Sequence, residues 1–364
     1  MNLFGWYRSA PPASRRSLLA ASLGWMLDAF DVMLYALVLA YLIKDLGMTK
    51  PTAGLLGSLT LLASAAGGVL FGVVADRKGR TWALRASILI YSVFTAACGL
   101  ASSVPMLAVF RVCLGLGMGG EWASGAALVS ETWPAEHRGK ALALVQSFWA
   151  VGYAAAAGVT ALVYPLFGWR AVFFVGVLPA LLVFWIRAKV EEPEIWRRAK
   201  AAAAGAADAV RVRTFVRGRM LGVTAAVTVM NAFTMFAYWG FNLWIPGYLS
   251  LAKDQGGLGL TPREMPFLIA VMQVGTWLGY LTFGYISDSL GRKKTYVAFL
   301  LTAAALVLVY AGTRTPLLLL ALGPFVAFFG TGYFAGFGAL TAELYPTGVR
   351  ATLQGFTYNI GRVA

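Results

Sequence analysis

Charge is scarce in this chain. Only 12% of its 364 residues are Asp, Glu, Lys or Arg, and 59% are hydrophobic, against about 25% charged for a soluble domain. That shortage excludes a pair of water-soluble domains, the default for this length. Histidine occurs once, as His137, which excludes a His-based metal cluster. Cysteine occurs twice, as Cys98 and Cys113, each inside an apolar run, so both read as small core residues rather than a disulfide or metal site. With no nucleophile beside a base and no metal set, an embedded enzyme is excluded, and no cofactor is expected. The Gly-x-Gly-x-Gly-Gly run at 115–120 lies mid-helix rather than between a strand and a helix, so it is not a phosphate loop. Those glycines read as helix packing.

What is present is apolar sequence in runs of 18 or more residues, each long enough to cross a membrane as a helix. The pattern predicts spans at about 17–43, 53–75, 82–102, 105–129, 140–163 and 169–188. A polar, Ala/Arg/Glu-rich linker with short interfacial helices follows over 189–217, then spans at about 218–246, 265–286, 295–312 and 316–340, with an eleventh beginning near Ala351. The Arg15-Arg16 pair before the first run imitates a signal peptide, but that run is too long for one. The organisation expected is an N-terminal bundle (1–188), the linker (189–217) and an incomplete C-terminal bundle (218–364). Basic residues set the orientation. With the N-terminus cytoplasmic, inner segments hold 22 of the 30 Lys and Arg, as the positive-inside tendency requires. The net charge of +15 therefore reflects topology, and no nucleic-acid partner is needed.

The chain repeats itself. Gly72-x-x-x-Asp76-x-x-Gly79-Arg80 returns as Gly284-x-x-x-Asp288-x-x-Gly291-Arg292, and Glu131-x-x-Pro134-x-x-x-Arg138 returns as Glu343-x-x-Pro346-x-x-x-Arg350. Every pair is separated by 212 positions (72 to 284, 76 to 288, 131 to 343, 138 to 350). Two motifs in one register mean two copies of one unit, and such repeats in an apolar chain point to a transporter. The same offset places the end of a twelfth span near about 400, so the chain is read as stopping within span 11.

Gly72-x-x-x-Asp76-Arg77-x-Gly79-Arg80 resembles the loop motif of the major facilitator superfamily. Its echo departs from it at Ser289, where the first copy has Arg77. The resemblance implies an all-α membrane fold of two six-helix bundles related by a pseudo-two-fold axis, with transport by alternating access. Asp76 against a helix N-terminus, with Arg77 and Arg80 on acidic groups, would make a conformational latch. The alternative is a basic loop that only sets topology. Arg111-x-x-x-Gly115-x-Gly117-x-Gly119-Gly120-Glu121-Trp122 and Asp28-Ala29-Phe30-Asp31 resemble elements of proton symporters for organic acids. Glu192-Pro193-Glu194-x-Trp196 is similar to an element of sugar and metabolite porters. Tyr358-Asn359-Ile360-Gly361-Arg362 resembles the sialate and monocarboxylate branch.

Few ionisable residues lie deep in the spans: Asp28, Asp31, Arg111, Glu121 and Arg362. Each costs about 2.5–3.5 kcal/mol at a helix centre, so such residues face a cavity or a partner. At about 1.5 Å per residue, Arg111 lies ~9 Å below the outer surface and Asp31 ~21 Å above the inner one, so their depths nearly match. Asp31 paired with Arg111 would make a switch: protonation of Asp31 releases Arg111 to a substrate carboxylate. A permanent salt bridge is the competing reading. Asp28 shares a helix face with Asp31. Glu121, about 15 Å deeper than Arg111, is either a proton relay or a structural carboxyl. Arg362, near the midplane, would give the second half its own cation. Gln146 (a sugar-contacting position by the resemblance), Asn231, Asn242, Tyr358 and Asn359 are candidate substrate contacts or inter-helix glue. Trp239 and Trp244 are candidates to cover a ligand. The expected activity is symport of an organic anion (monocarboxylate, sialate or aromatic acid) with a proton, by a monomer in a bacterial inner membrane. A sugar or polyol porter, or an inactive fragment of such a transporter, is the alternative.

Overall fold

The computed structural model describes residues 5–203, 219–250, 257–260, 264–347 and 350–361. All regular structure among them is helical, as it must be where lipid offers backbone groups no hydrogen bonds. The first half comprises α1 (Gly5–Arg8), α2 (Pro12–Asp45), α3 (Lys50–Lys78), α4 (Arg80–Cys98), α5 (Val104–Thr132), α6 (Ala135–Val175) and α7 (Ala180–Lys189). A short helix, α8 (Glu194–Ala203), follows. The second half comprises α9 (Arg219–Ser250), α10 (Glu264–Leu290), α11 (Arg292–Gly312), α12 (Pro316–Gly332), α13 (Ala335–Leu344) and α14 (Arg350–Gly361). The described helices form an all-α, membrane-spanning fold of two bundles.

Local chemistry explains the boundaries. Thr49 and Ser103 cap α3 and α5 by accepting from Thr52 N (3.2 Å) and Met106 N (3.4 Å), each followed by a proline in the first helical turn. That is a strong start signal. The break expected between the fifth and sixth spans lies inside α6, at Gly168 (φ 73°), three residues after Pro165. There Asp45, at the end of α2, accepts from Trp169 Nε1 (3.0 Å) and Arg170 Nη1 (2.8 Å). The Arg170 and Trp169 hydrogen bonds hold the Asp45 carboxyl below its ordinary range. This tie therefore persists until the pH falls below the usual carboxylate values. The tenth span is interrupted at Tyr333–Phe334, between α12 and α13.

The repeat is visible as geometry. Gly79 (φ 124°) separates α3 from α4, and Gly291 (φ 89°) separates α10 from α11 at the equivalent position. Both lie in the left-handed region that favours glycine. Close packing is also as the glycines imply: a Cβ on Gly119 would sit 2.0 Å from the Ser64 carbonyl oxygen, so α5 lies directly on the backbone of α3.

Candidate functional site

Three features stand out: buried charge within the first half, an aromatic cavity between the halves, and a polar clasp on the face that carries the repeated motifs.

Asp28 and Asp31 on α2 and Arg111 and Glu121 on α5 are all buried. Asp31 and Arg111 do not engage each other in this structure. Asp31 Oδ2 accepts from the Thr95 hydroxyl on α4 (2.9 Å). The Arg111 guanidinium lies over the Tyr35 ring, 4.0 Å from its centroid. Tyr35 is one helical turn beyond Asp31, and its ring offers a desolvated guanidinium a cation–π contact. Arg111 Nε and Nη1 have no hydrogen bond, and the residue makes no ion pair among the described residues. Glu121 packs its Oε1 against Gly24 of α2, where a Cβ would lie 2.4 Å away. It is within electrostatic range of Asp28.

The clasp is built on Arg80. Its side chain is fully buried, and it donates from Nε and Nη2 to the two oxygens of Glu131 (3.0 and 2.9 Å). It also donates to the carbonyls of Ala75 (2.6 Å) and Thr347 (3.0 Å) and pairs with Asp76 (2.8 Å). Glu131 reaches Arg350 of the second half (3.5 Å). Asp76 Oδ2 accepts from Thr352 N (3.0 Å) and from the Thr352 hydroxyl, so it caps α14, a helix of the other half. The second copy is weaker. Arg292 meets Glu343 in a partly exposed pair, and Gly284 has only ordinary contact with Ala143 on α6. Arg77 is exposed, and Arg138 Nε is buried without a hydrogen-bond partner among the described residues.

Glu192 completes the clasp in a way sequence reasoning did not assign. Its carboxylate accepts from the backbone N–H groups of Arg80 (2.7 Å), Thr81 (3.0 Å) and Trp82 (3.2 Å), and from the Thr81 hydroxyl. It therefore caps α4 from outside that helix. Trp196 Nε1 donates to the Asp76 carbonyl (3.0 Å). Glu192→Ala is expected to cost about 1 kcal/mol, the usual value of a lost N-cap, read as a lower Tm in detergent. Glu191→Ala, at an exposed neighbour, should leave Tm unchanged.

A small cavity lies between the halves. Gln146 and Trp149 of α6 face Tyr238 and Trp239 of α9, with Tyr280 of α10, Phe334 at the α12–α13 break and Tyr358 of α14. Behind them Trp25 lies 4.8 Å from Trp122 and 4.9 Å from Trp149, and Trp122 stacks on Tyr358 at 5.1 Å. Of the candidate contacts, Gln146, Tyr358 and Trp239 line this cavity. The asparagines hydrogen-bond to backbone. Asn231 donates to the Thr357 and Tyr358 carbonyls (2.8 and 2.9 Å), and Asn242 to the Tyr238 carbonyl (3.0 Å). Asn359 accepts from Ser64 (3.0 Å) and donates to the Gly119 carbonyl (3.2 Å), so it ties α14 to both α3 and α5. Arg362, and the side chains of Asp288 and Trp244, lie outside the described residues. Trp149, Tyr280 and Phe334 had no sequence signal of their own, because aromatic residues in a membrane chain read first as interface belts.

The family model of the Major Facilitator Superfamily matches residues 21–257 and 249–363. A putative metabolite transport protein of Haemophilus influenzae is 34% identical over 369 residues, covering 100% of this chain and 87% of its own length. The sialic acid transporter NanX of Escherichia coli is 32% identical over 359 residues, covering 98% of this chain and 86% of its own. The solved structure of the proton:xylose symporter XylE aligns with a TM-score of 0.77 at 18% identity, over 96% of this chain and 86% of that one. At that identity the likeness is one of fold. These matches, the repeated loop motif and the two packed bundles agree: the chain belongs to the Major Facilitator Superfamily and is a multi-pass membrane transporter, not an enzyme.

Proposed function

We propose that this transporter is a symporter of an organic anion and a proton, working by alternating access as a monomer. The bilayer is an inner membrane, with the N-terminus and the motif face cytoplasmic. The observation that carries the reading is Arg111. A guanidinium buried in the membrane span, held by an aromatic ring and by no carboxylate among the described residues, is a standing site for an anion. Its planar fork matches a carboxylate. Asp28, Asp31 and Glu121 supply carboxyls in the same half, and intramembrane carboxyls of this kind mark proton pathways. Asp31, held by a neutral hydroxyl rather than by Arg111, is free to take a proton without breaking an ion pair. The relative that carries sialic acid, itself an organic acid, supports an acid over a polyol.

Motion follows from the clasp. With Arg80, Glu131, Arg350, Asp76 and Thr352 joined, the motif face is shut, and ligand enters from the other side. The test is uptake by proteoliposomes under an inward proton gradient, with labelled organic acids and xylose. Asp31→Asn is expected to lose gradient-driven accumulation of the acid while retaining counterflow exchange. Arg111→Gln should lose both. Acid uptake indifferent to the gradient and to Asp31, or uptake of xylose alone, rules the proposal out.

A further inference from the structure

Asp31 and Arg111 each keep an unsatisfied polar group, and the two kinds of group would satisfy each other. Asp31 Oδ1 has no hydrogen bond among the described residues, and neither have Arg111 Nε and Nη1. Buried polar groups are normally paired, so something holds this acceptor and these donors apart. The residue placed to do so is Tyr35. It follows Asp31 by one helical turn, about 6 Å further along the same face of α2. Its ring takes the guanidinium, 4.0 Å from the ring centroid. The ring is itself fixed from α3, because the Tyr35 hydroxyl donates to the Ala53 carbonyl in a buried hydrogen bond (2.8 Å). Helix α4 repeats the two levels. Thr95 meets Asp31, and Cys98, one turn on, is within electrostatic range of Arg111 and Tyr35.

We infer that Tyr35 is a positioning residue: its ring parks Arg111 one helical turn from Asp31, so that the cation stays open to an anion and the carboxyl to a proton. An aromatic face suits this task for a physical reason. It attracts a desolvated guanidinium through the ring quadrupole, yet it does not cancel the positive charge. A carboxylate would cancel that charge and fill the N–H fork that a substrate carboxylate needs. An aliphatic side chain at position 35 would offer the guanidinium no attraction at all. Arg111 would then turn to the orphaned Asp31 oxygen, and the ion pair so formed would hold both groups from their ligands.

This inference rests on the organic-anion reading above and deepens it. The experiment is counterflow exchange in proteoliposomes with labelled lactate, benzoate and N-acetylneuraminate. Wild type is compared with Tyr35→Leu, with Tyr35→Phe, and with Tyr35→Leu combined with Asp31→Asn. Tyr35→Leu is expected to raise KM about tenfold, the scale of one charge-assisted hydrogen bond that the anion must now displace. Its kcat should change little, since the loss is one of binding. Tyr35→Phe keeps the ring and loses the hydroxyl, and should keep the wild-type KM. Adding Asp31→Asn to Tyr35→Leu should restore that KM, because an amide gives Arg111 no charge to pair with. A defect of packing alone would not respond to Asp31. Fluorinated phenylalanines at position 35 make the same test with the shape of the ring kept, whether or not Tyr35→Leu folds. KM should climb with each added fluorine as the negative face of the ring weakens. A KM indifferent to fluorination, or a Tyr35→Leu defect that Asp31→Asn leaves in place, overturns the inference and leaves the organic-anion symporter standing. Exchange of none of the acids by wild type overturns both.

Discussion

Arg80→Ala is expected to destabilise the protein by about 3–5 kcal/mol, whereas Arg292→Ala, the same substitution in the second copy of the motif, should cost under about 1 kcal/mol. The two arginines occupy matched positions in matched loops, so propensity and sequence context do not separate them. Burial does. Arg80 has no exposed side-chain surface, and its partner Glu131 has none either. Removing the guanidinium strands Glu131 with only the 3.5 Å contact to Arg350 and leaves Asp76 without its ion pair. It also removes a donor from the Ala75 and Thr347 carbonyls. Arg292 and Glu343 are both partly exposed, so water replaces each for the other at little cost. Thermal unfolding of the two variants in one detergent decides the matter. Equal losses would mean that the clasp is no stronger than a surface pair and that another contact holds the motif face shut.

How far the sequence foretold this molecule depends on how local the signal is. Span positions were legible because 18 apolar residues in lipid can do nothing but form a helix. The start of α5 at Ser103-Val104-Pro105 and the bend at Gly168 follow from capping and from glycine's access to positive φ. The clasp was legible because it is written twice. Gly79 and Gly291 share a conformation, and Arg80 and Arg292 each meet the acidic residue of the second motif, Glu131 and Glu343. Its asymmetry was not legible, since burial of one copy comes from the way α14 lies across α3, and no residue of the loop encodes that.

The interior charges were harder. Equal depth made Asp31 and Arg111 candidates for a pair, yet depth is one coordinate of three. Rotation about the helix axes gives Asp31 to Thr95 and Arg111 to Tyr35. The helices are apolar nearly all round, so periodicity carries little rotational information. The same loss of information hid the aromatic wall: Trp149 and Tyr280 are apolar residues among apolar residues until α6 and α10 are packed together. Polar residues stand out in such an apolar sequence, but the sequence does not sort them. Gln146 faces the cavity, while Asn231 and Asn359 hydrogen-bond to backbone across helix contacts.

Replacing Gly72 with valine should hold the motif face open, and with it shift the conformational equilibrium of the transporter about 5–150-fold. A Cβ at this position would lie 2.8 Å from Thr352 Cα and 2.9 Å from the Ala351 carbonyl oxygen. Those are backbone atoms of α14 in the opposite half, so no side chain can rotate away. Overpacking at such a contact costs typically 1–3 kcal/mol. Here the cost falls only on the closed state, because separation of α14 from α3 removes it. A penalty confined to one of two states is a population shift of the same size, and 1–3 kcal/mol corresponds to the 5–150-fold range. Spin labels at exposed Arg77 and Lys293, one in each half, would report a longer distance in Gly72→Val than in wild type. Gly284→Val in the second copy is the control. Its neighbour Ala143 Cβ is already at an ordinary 3.4 Å, so the distance there should stay that of wild type. An unchanged distance in Gly72→Val would mean that α14 yields locally, and that the contact between α3 and α14 is packing rather than part of the gate.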